Sequence, residues 1–125
     1  MPRLMSVATT ADAVIARQKT VTRRKGWLML KPGDRLTLCR KVQGRKPGEP
    51  LERLAEVKVT HIRRESLSTL LIGPYGDREV ALEGLPGMDP SDFVQQYFID
   101  AQGMQPNDIV TRIEWRYLNQ GGEQL

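Results

Sequence analysis

The chain has 125 residues, a single cysteine and a single histidine, with 27% charged and 39% apolar residues. One small soluble domain is expected. An internal disulfide, a Cys/His zinc centre and a triad with a choice of histidines are all excluded. The formal net charge of +4 hides a strong asymmetry, because residues 1–64 carry a net +11 and residues 65–125 a net −7. Such a split favours a basic face and a polyanionic partner, most often nucleic acid. The alternative is that the two halves interleave in space and neutralise each other.

No apolar run reaches the roughly 18 residues of a membrane span. The first eight residues lack the apolar region of a secretory signal. A cytoplasmic setting and no membrane partner are therefore expected. Residues 1–118 read as one domain, and 119–125 as a disordered tail.

In chain order, Leu4–Val7 reads as a short first strand. Thr9 with Asp12 resembles a capping box for a helix over Ala11–Gln18, with Ala11, Val14 and Ile15 as its buried stripe. The segment Arg17–Lys25 then gathers five cations and two threonine hydroxyls, Thr20 and Thr22. It is too polar to be core. Lys31-Pro32-Gly33-Asp34 is a turn signal into a strand carrying Leu36 and Leu38. Gln43–Pro50 reads as a hairpin loop. Ala55, Val57 and Val59 alternate along the clearest strand, with His61 in phase with them.

Ser66 is placed to cap a short helix that buries Leu67, Leu70 and Leu71. Gly73–Gly76 reads as a loop holding Tyr75, and residues 77–84 have no clear periodicity. Asp89-Pro90 starts a helix to about Ala101 with Phe93, Val94, Tyr97 and Phe98 on its apolar stripe. The last strand places Ile109, Thr111, Ile113, Trp115 and Tyr117 on one face, and Arg112, Glu114 and Arg116 on the other. With no regular alternation of strand and helix, these elements predict a mainly β, α+β fold. It is a small antiparallel β pseudobarrel flanked by two or three helices.

Four features in this order resemble the ASCH domain, a PUA-like family. They are Lys19-Thr20-Val21-Thr22-Arg23-Arg24 after a short helix, the Pro32-Gly33-Asp34 turn, Glu83-Gly84 before a helix, and the closing aromatic strand. The resemblance covers nearly the whole chain. It implies a PUA-like pseudobarrel with a basic cleft beside the first helix. It further implies binding of RNA or of a modified nucleotide or nucleoside, with no cofactor. The alternative that it carries is hydrolysis, either of N4-acetylcytidine-type nucleosides or of RNA. For the amidohydrolase members, the motif match places the catalytic group on Lys19, Thr22 and Glu83.

The residues themselves admit two readings at each position. Lys19 serves as a base if its pKa is lowered, as nearby Arg side chains would favour, or else as a phosphate contact. Thr22 is a nucleophile or a capping hydroxyl. Arg17, Arg23, Arg24 and Lys25 are candidate phosphate contacts, and Trp27 and Tyr75 candidate base-stacking rings. Glu83 reads a base edge, acts as acid or base, or pairs with an arginine. Trp115 and Tyr117 are assigned to the core. A metal site at Asp77, Glu79 and Glu83 lacks the usual histidine, and no metal is expected.

Overall fold

The computed structural model describes residues 2–119; the expected tail, Asn119 apart, lies outside them. Five strands form one curled sheet in the order β1-β3-β4-β5-β2. They are β1 (Arg3–Ser6), β2 (Val21–Arg24), β3 (Arg35–Cys39), β4 (Arg53–Ser66) and β5 (Ile109–Tyr117). Three short helices accompany them: α1 (Ala11–Ile15), α2 (Gly73–Leu82) and α3 (Pro90–Val94). The result is an α+β half-barrel. All neighbouring strands are antiparallel except β1 and β3, which run parallel. The parallel pair arises because β1 is the sheet edge, and the chain crosses the sheet through α1 and β2 before returning as β3.

The sheet serves two apolar cores. The first holds Met5, Val14, Leu36, Leu38, Val57, Val59, Ile113 and Trp115. The second holds Leu67, Leu70, Val80, Phe93, Phe98 and Val110. Each fully buried side chain of this size contributes about 1.5–3 kcal/mol. β4 supplies the first core through Ala55, Val57 and Val59, as its alternation requires. Its pairing with β5 then shifts by one residue between Val59 and His61. This bulge turns His61 out to solvent and Ile62 in against the first core. The expectation that His61 follows the apolar face therefore fails, because the inserted residue inverts the phase.

The helices differ from expectation in instructive ways. α1 is one tight piece, preceded by a 3-10 turn over Ala8–Thr10, and no threonine side chain caps it. It ends at Ile15, which is exposed, because Arg17 adopts a left-handed conformation with φ 62°. Gly73–Gly76 is not a loop but the start of α2, with Pro74 in its first turn where a missing N–H costs nothing. The Ser66 cap is present: its hydroxyl accepts from the Ser68 N–H at 3.2 Å. The turn that it caps, Leu67–Leu71, buries Leu67 and Leu70 but exposes Leu71. Asp89 caps α3 through the Ser91 N–H at 2.7 Å. The helix then widens into a π-helical stretch, Gln95–Asp100. Among the described residues no helix is long and apolar enough to cross a membrane.

Candidate functional site

Lys19 is fixed from both ends. Behind it, the amides of Gln18 and Lys19 both donate to the Ala13 carbonyl, closing α1. Arg17 holds the left-handed position of this closure, and its guanidinium lies 4.9 Å over the Tyr117 ring. Ahead of it, the Lys19 carbonyl accepts from Trp115 Nε1 at 3.1 Å and from the Tyr117 hydroxyl. Thr20 donates its N–H to the Leu82 carbonyl at 2.9 Å, which ties the segment to the end of α2. The core aromatics of β5 are thus what aims the lysine.

Glu83 arrives from the last turn of α2. The next residue, Gly84, has φ +96°, and a Cβ there would stand 2.7 Å from the Ala13 Cβ and 3.3 Å from the Lys19 Cβ. Only glycine lets α1 and α2 approach this closely. The Glu-Gly pair therefore has a physical reason. It brings Lys19 Nζ to 2.9 Å from Glu83 Oε1 and 2.8 Å from the Glu83 carbonyl. The carbonyl is one of the unpaired acceptors at the negative end of a helix, where an ammonium is favoured.

The other Glu83 oxygen accepts from Arg23 at 3.0 Å. Arg23 also donates to Glu65 at 3.0 Å, to Glu79 and to the Tyr75 hydroxyl. Glu79 in turn binds Arg112 through both oxygens, at 2.6 and 3.2 Å, and Arg112 reaches Glu114 at 2.8 Å. Burial alone would lower the Arg23 pKa, but Glu83, Glu65 and Glu79 outweigh it and raise the group above its ordinary value. Burial likewise pushes Glu79 up, and hydrogen bonds from Arg112 and Arg23 more than reverse this, leaving it below the usual carboxylate value. Lys19 goes the other way. Burial lowers its pKa, Glu83 only partly restores it, and Arg24 and Arg23 add to the depression.

Beside this group lies a cleft of about 700 Å³. Its lining includes Lys19, Thr22, Arg24 and Glu83 together with the aromatic side chains of Trp27 and Tyr97. Thr22 is buried, and its hydroxyl accepts from Arg24 Nε at 3.1 Å. No hydrogen bond joins Thr22 to Lys19 among the described residues. Arg24 is anchored by a 2.7 Å bond to the Ser6 carbonyl. Its pKa is lowered by burial, which Glu83 only partly offsets. Lys25 lies exposed at the rim, and half-buried Trp27 takes a left-handed φ of 55°.

Of the sequence-derived candidates, Lys19, Thr22, Glu83, Arg24, Lys25 and Trp27 thus border one cleft. Arg23 borders it too, but its nitrogens are taken up by carboxylates and Tyr75. Arg17 is turned to the Tyr117 ring. Tyr75 lies away from the cleft, in the first turn of α2. Its hydroxyl binds Glu65 at 2.8 Å and the guanidinium of Arg63, and Arg63 and Arg78 sit 5.7 Å from its ring.

Sequence reasoning missed Glu65, Glu79 and Arg112 as members of the charge network. Tyr75, Glu79 and Glu83 recur every four residues, which puts them along one helix face, and that was the available signal. Among the described residues no group of three His, Cys, Asp or Glu side chains is placed to hold a metal ion.

No protein-family model matches the chain, and no curated protein sequence matches it. Solved structures do. Protein EF3133 from Enterococcus faecalis, described as DUF984, superposes with a TM-score of 0.65 at 11% identity, covering 94% of this chain and 77% of that one. The hypothetical protein PH0355 gives 0.59 at 20% identity, covering 94% and 100%. The ASCH protein from Zymomonas mobilis gives 0.56 at 17% identity, covering 95% and 73%. The chain therefore has an ASCH-like fold.

Proposed function

We propose that the cleft binds a single nucleotide unit of RNA, or a modified nucleoside, with its base against the rings of Trp27 and Tyr97. The observation that carries this reading is a lining that joins the rings of Trp27 and Tyr97 to two cations whose pKa values burial lowers, Lys19 and Arg24. The volume falls within the roughly 300–1,000 Å³ of small-ligand sites. Aromatic rings stack on any base face, and a cation shielded from water holds an anion more firmly than one in solvent. Glu83 offers a carboxylate oxygen to an exocyclic amino group, and Lys25 stands where a chain would leave the cleft. Titration with cytidine monophosphate and N4-acetylcytidine tests this directly. Arg24→Ala is expected to weaken the phosphate-bearing ligand about tenfold or more, by about 1.4 kcal/mol. Equal affinities for wild type and variant would defeat the reading.

The depressed Lys19 pKa supports a second reading, hydrolysis of the N4-acyl bond. Neutral Lys19 would take a proton from the attacking hydroxyl of water or Thr22. The cytosine amine would leave with a proton, giving cytidine and acetate for one water consumed. Incubation with N4-acetylcytidine and separation of the products decides it. Absence of cytidine, or equal turnover by Lys19→Met, excludes this chemistry and leaves binding alone.

A further inference from the structure

One half of the β5 face that carries Arg112 and Arg116 is covered by a helix. Over that half lies α2, whose Glu79 neutralises Arg112 of β5. Two strand positions further along, Arg116 has no such cover. It pairs in register with Lys58 of β4, and Lys58 pairs in register with Arg35 of β3. Residues directly opposite in antiparallel strands share a face, and strands lie about 4.8 Å apart. Three cations therefore stand in one row across three strands, within about 10 Å. Arg35 and Arg116 are exposed and Lys58 is half-buried.

None of the three makes an ion pair among the described residues. Two carboxylates stand on the same strands: Glu56 accepts the Thr37 hydroxyl at 2.9 and 2.8 Å and keeps its charge, and Glu114 accepts from Arg112 and lies 3.9 Å from His61. Like charges placed opposite one another cost stability. A chain that pairs Arg23 and Arg112 with carboxylates leaves this row without an ion pair among the described residues.

We propose that the row Arg35–Lys58–Arg116 is a contact surface for the phosphate backbone of a nucleic-acid strand. It is distinct from the cleft, whose lining includes none of these three residues. This goes beyond the cleft reading, because a strand held here is gripped by its backbone and not by a base. A cross-strand row suits successive phosphates, and two of its three members are arginines, which bind phosphate oxygens bidentately.

The test measures affinity for a fluorescently labelled uridine oligomer longer than the roughly 16 nucleotides that one small fold occupies. Salt is varied from about 50 to about 200 mM. Changing Arg35, Lys58 and Arg116 together to Gln keeps the stems and removes the charge. It is expected to weaken oligomer binding at least tenfold at low salt and to reduce the log–log salt slope by about 2, at roughly 0.7 per phosphate. Uridine monophosphate binding is expected to stay unchanged. The swap Arg35→Lys, Lys58→Arg, Arg116→Lys preserves the charge and is expected to retain oligomer binding.

An unchanged slope in the Gln variant, melting as wild type does, overturns the proposal. So does equal affinity of the wild type for polyglutamate or for phosphatidylserine vesicles, which would mark a general polyanion surface. Wild type that binds the monophosphate but holds the oligomer no tighter sinks this surface and leaves the cleft reading standing. Oligomer binding through the row without monophosphate binding does the reverse.

Discussion

Two regions meet at the Glu83 carboxylate, and they treat buried positive charge in opposite ways. Under α2, Arg23 is surrounded by Glu65, Glu79 and Glu83. On the cleft side, Lys19 has one oxygen of Glu83 and a helix-end carbonyl. Both cations are almost fully buried. The difference lies in the count of carboxylates, and the pKa directions follow it: up for Arg23, down for Lys19. A cation saturated by carboxylates is a strut that ties α2 to β2. A cation with too few is held in a state that an incoming anion relieves, or in which it gives up a proton cheaply.

The comparison can be broken most strongly at the strut. Arg23→Ala would leave three carboxylates facing one another, and is expected to cost about 3–5 kcal/mol in denaturant unfolding. A cost below about 1 kcal/mol would show that the network is not structural. Next in size is Gly84→Ala, which must adopt a positive φ and crowd Ala13. It is expected to cost about 1–3 kcal/mol and to weaken cleft binding as Lys19 is displaced from Glu83. Lys19→Met sharpens the contrast from the other side. Glu83 keeps Arg23, so stability should change by less than about 1 kcal/mol while cytidine monophosphate affinity falls about tenfold.

The smallest effect is pH dependence, measured as unfolding free energy across the range. Glu65 and Glu79 have folded pKa values below the ordinary 4.5. The unfolded chain therefore binds protons first, and the stability present above that value is lost as pH falls through the folded values. Glu79→Gln is expected to flatten this acid arm. The folded pKa of Lys19 lies below 10.5. Between the two values the unfolded chain again holds more protons, so stability rises with pH in that window and levels off above it. Lys19→Met is expected to remove this rise and leave the acid arm intact.

Much of this arrangement was legible before the structure. The Lys-Thr run, the Pro-Gly-Asp turn and the Glu-Gly pair were in place, and Lys19, Thr22 and Glu83 do border one cleft. Strand alternation identified Ala55, Val57 and Val59, as well as Trp115. What was hidden has physical causes. Gly73-Pro74 imitates a loop but opens α2, so the helical spacing of Glu79 and Glu83 lay in an unassigned stretch. Alternation along β5 set Arg112 on the face opposite Trp115, but a local pattern cannot reveal that a helix from elsewhere covers that position. The same blindness made Arg23 look like a ligand contact: a run of cations in sequence says nothing about which members a distant carboxylate has already claimed.

The course of β5 has a consequence for how the molecule opens. A single strand of nine residues is shared between two cores, giving Val110 to the second and Ile113, Trp115 and Tyr117 to the first. The cleft touches both cores, with Val7 from the first and Phe93 and Phe98 from the second among its lining. Each core is a natural unit for local unfolding, so amides at 109–110 and at 113–117 belong to different cooperative units although one backbone joins them. A ligand seated in the cleft would bridge the two units. It would slow amide exchange at both ends of β5, making that strand a built-in reporter of occupancy.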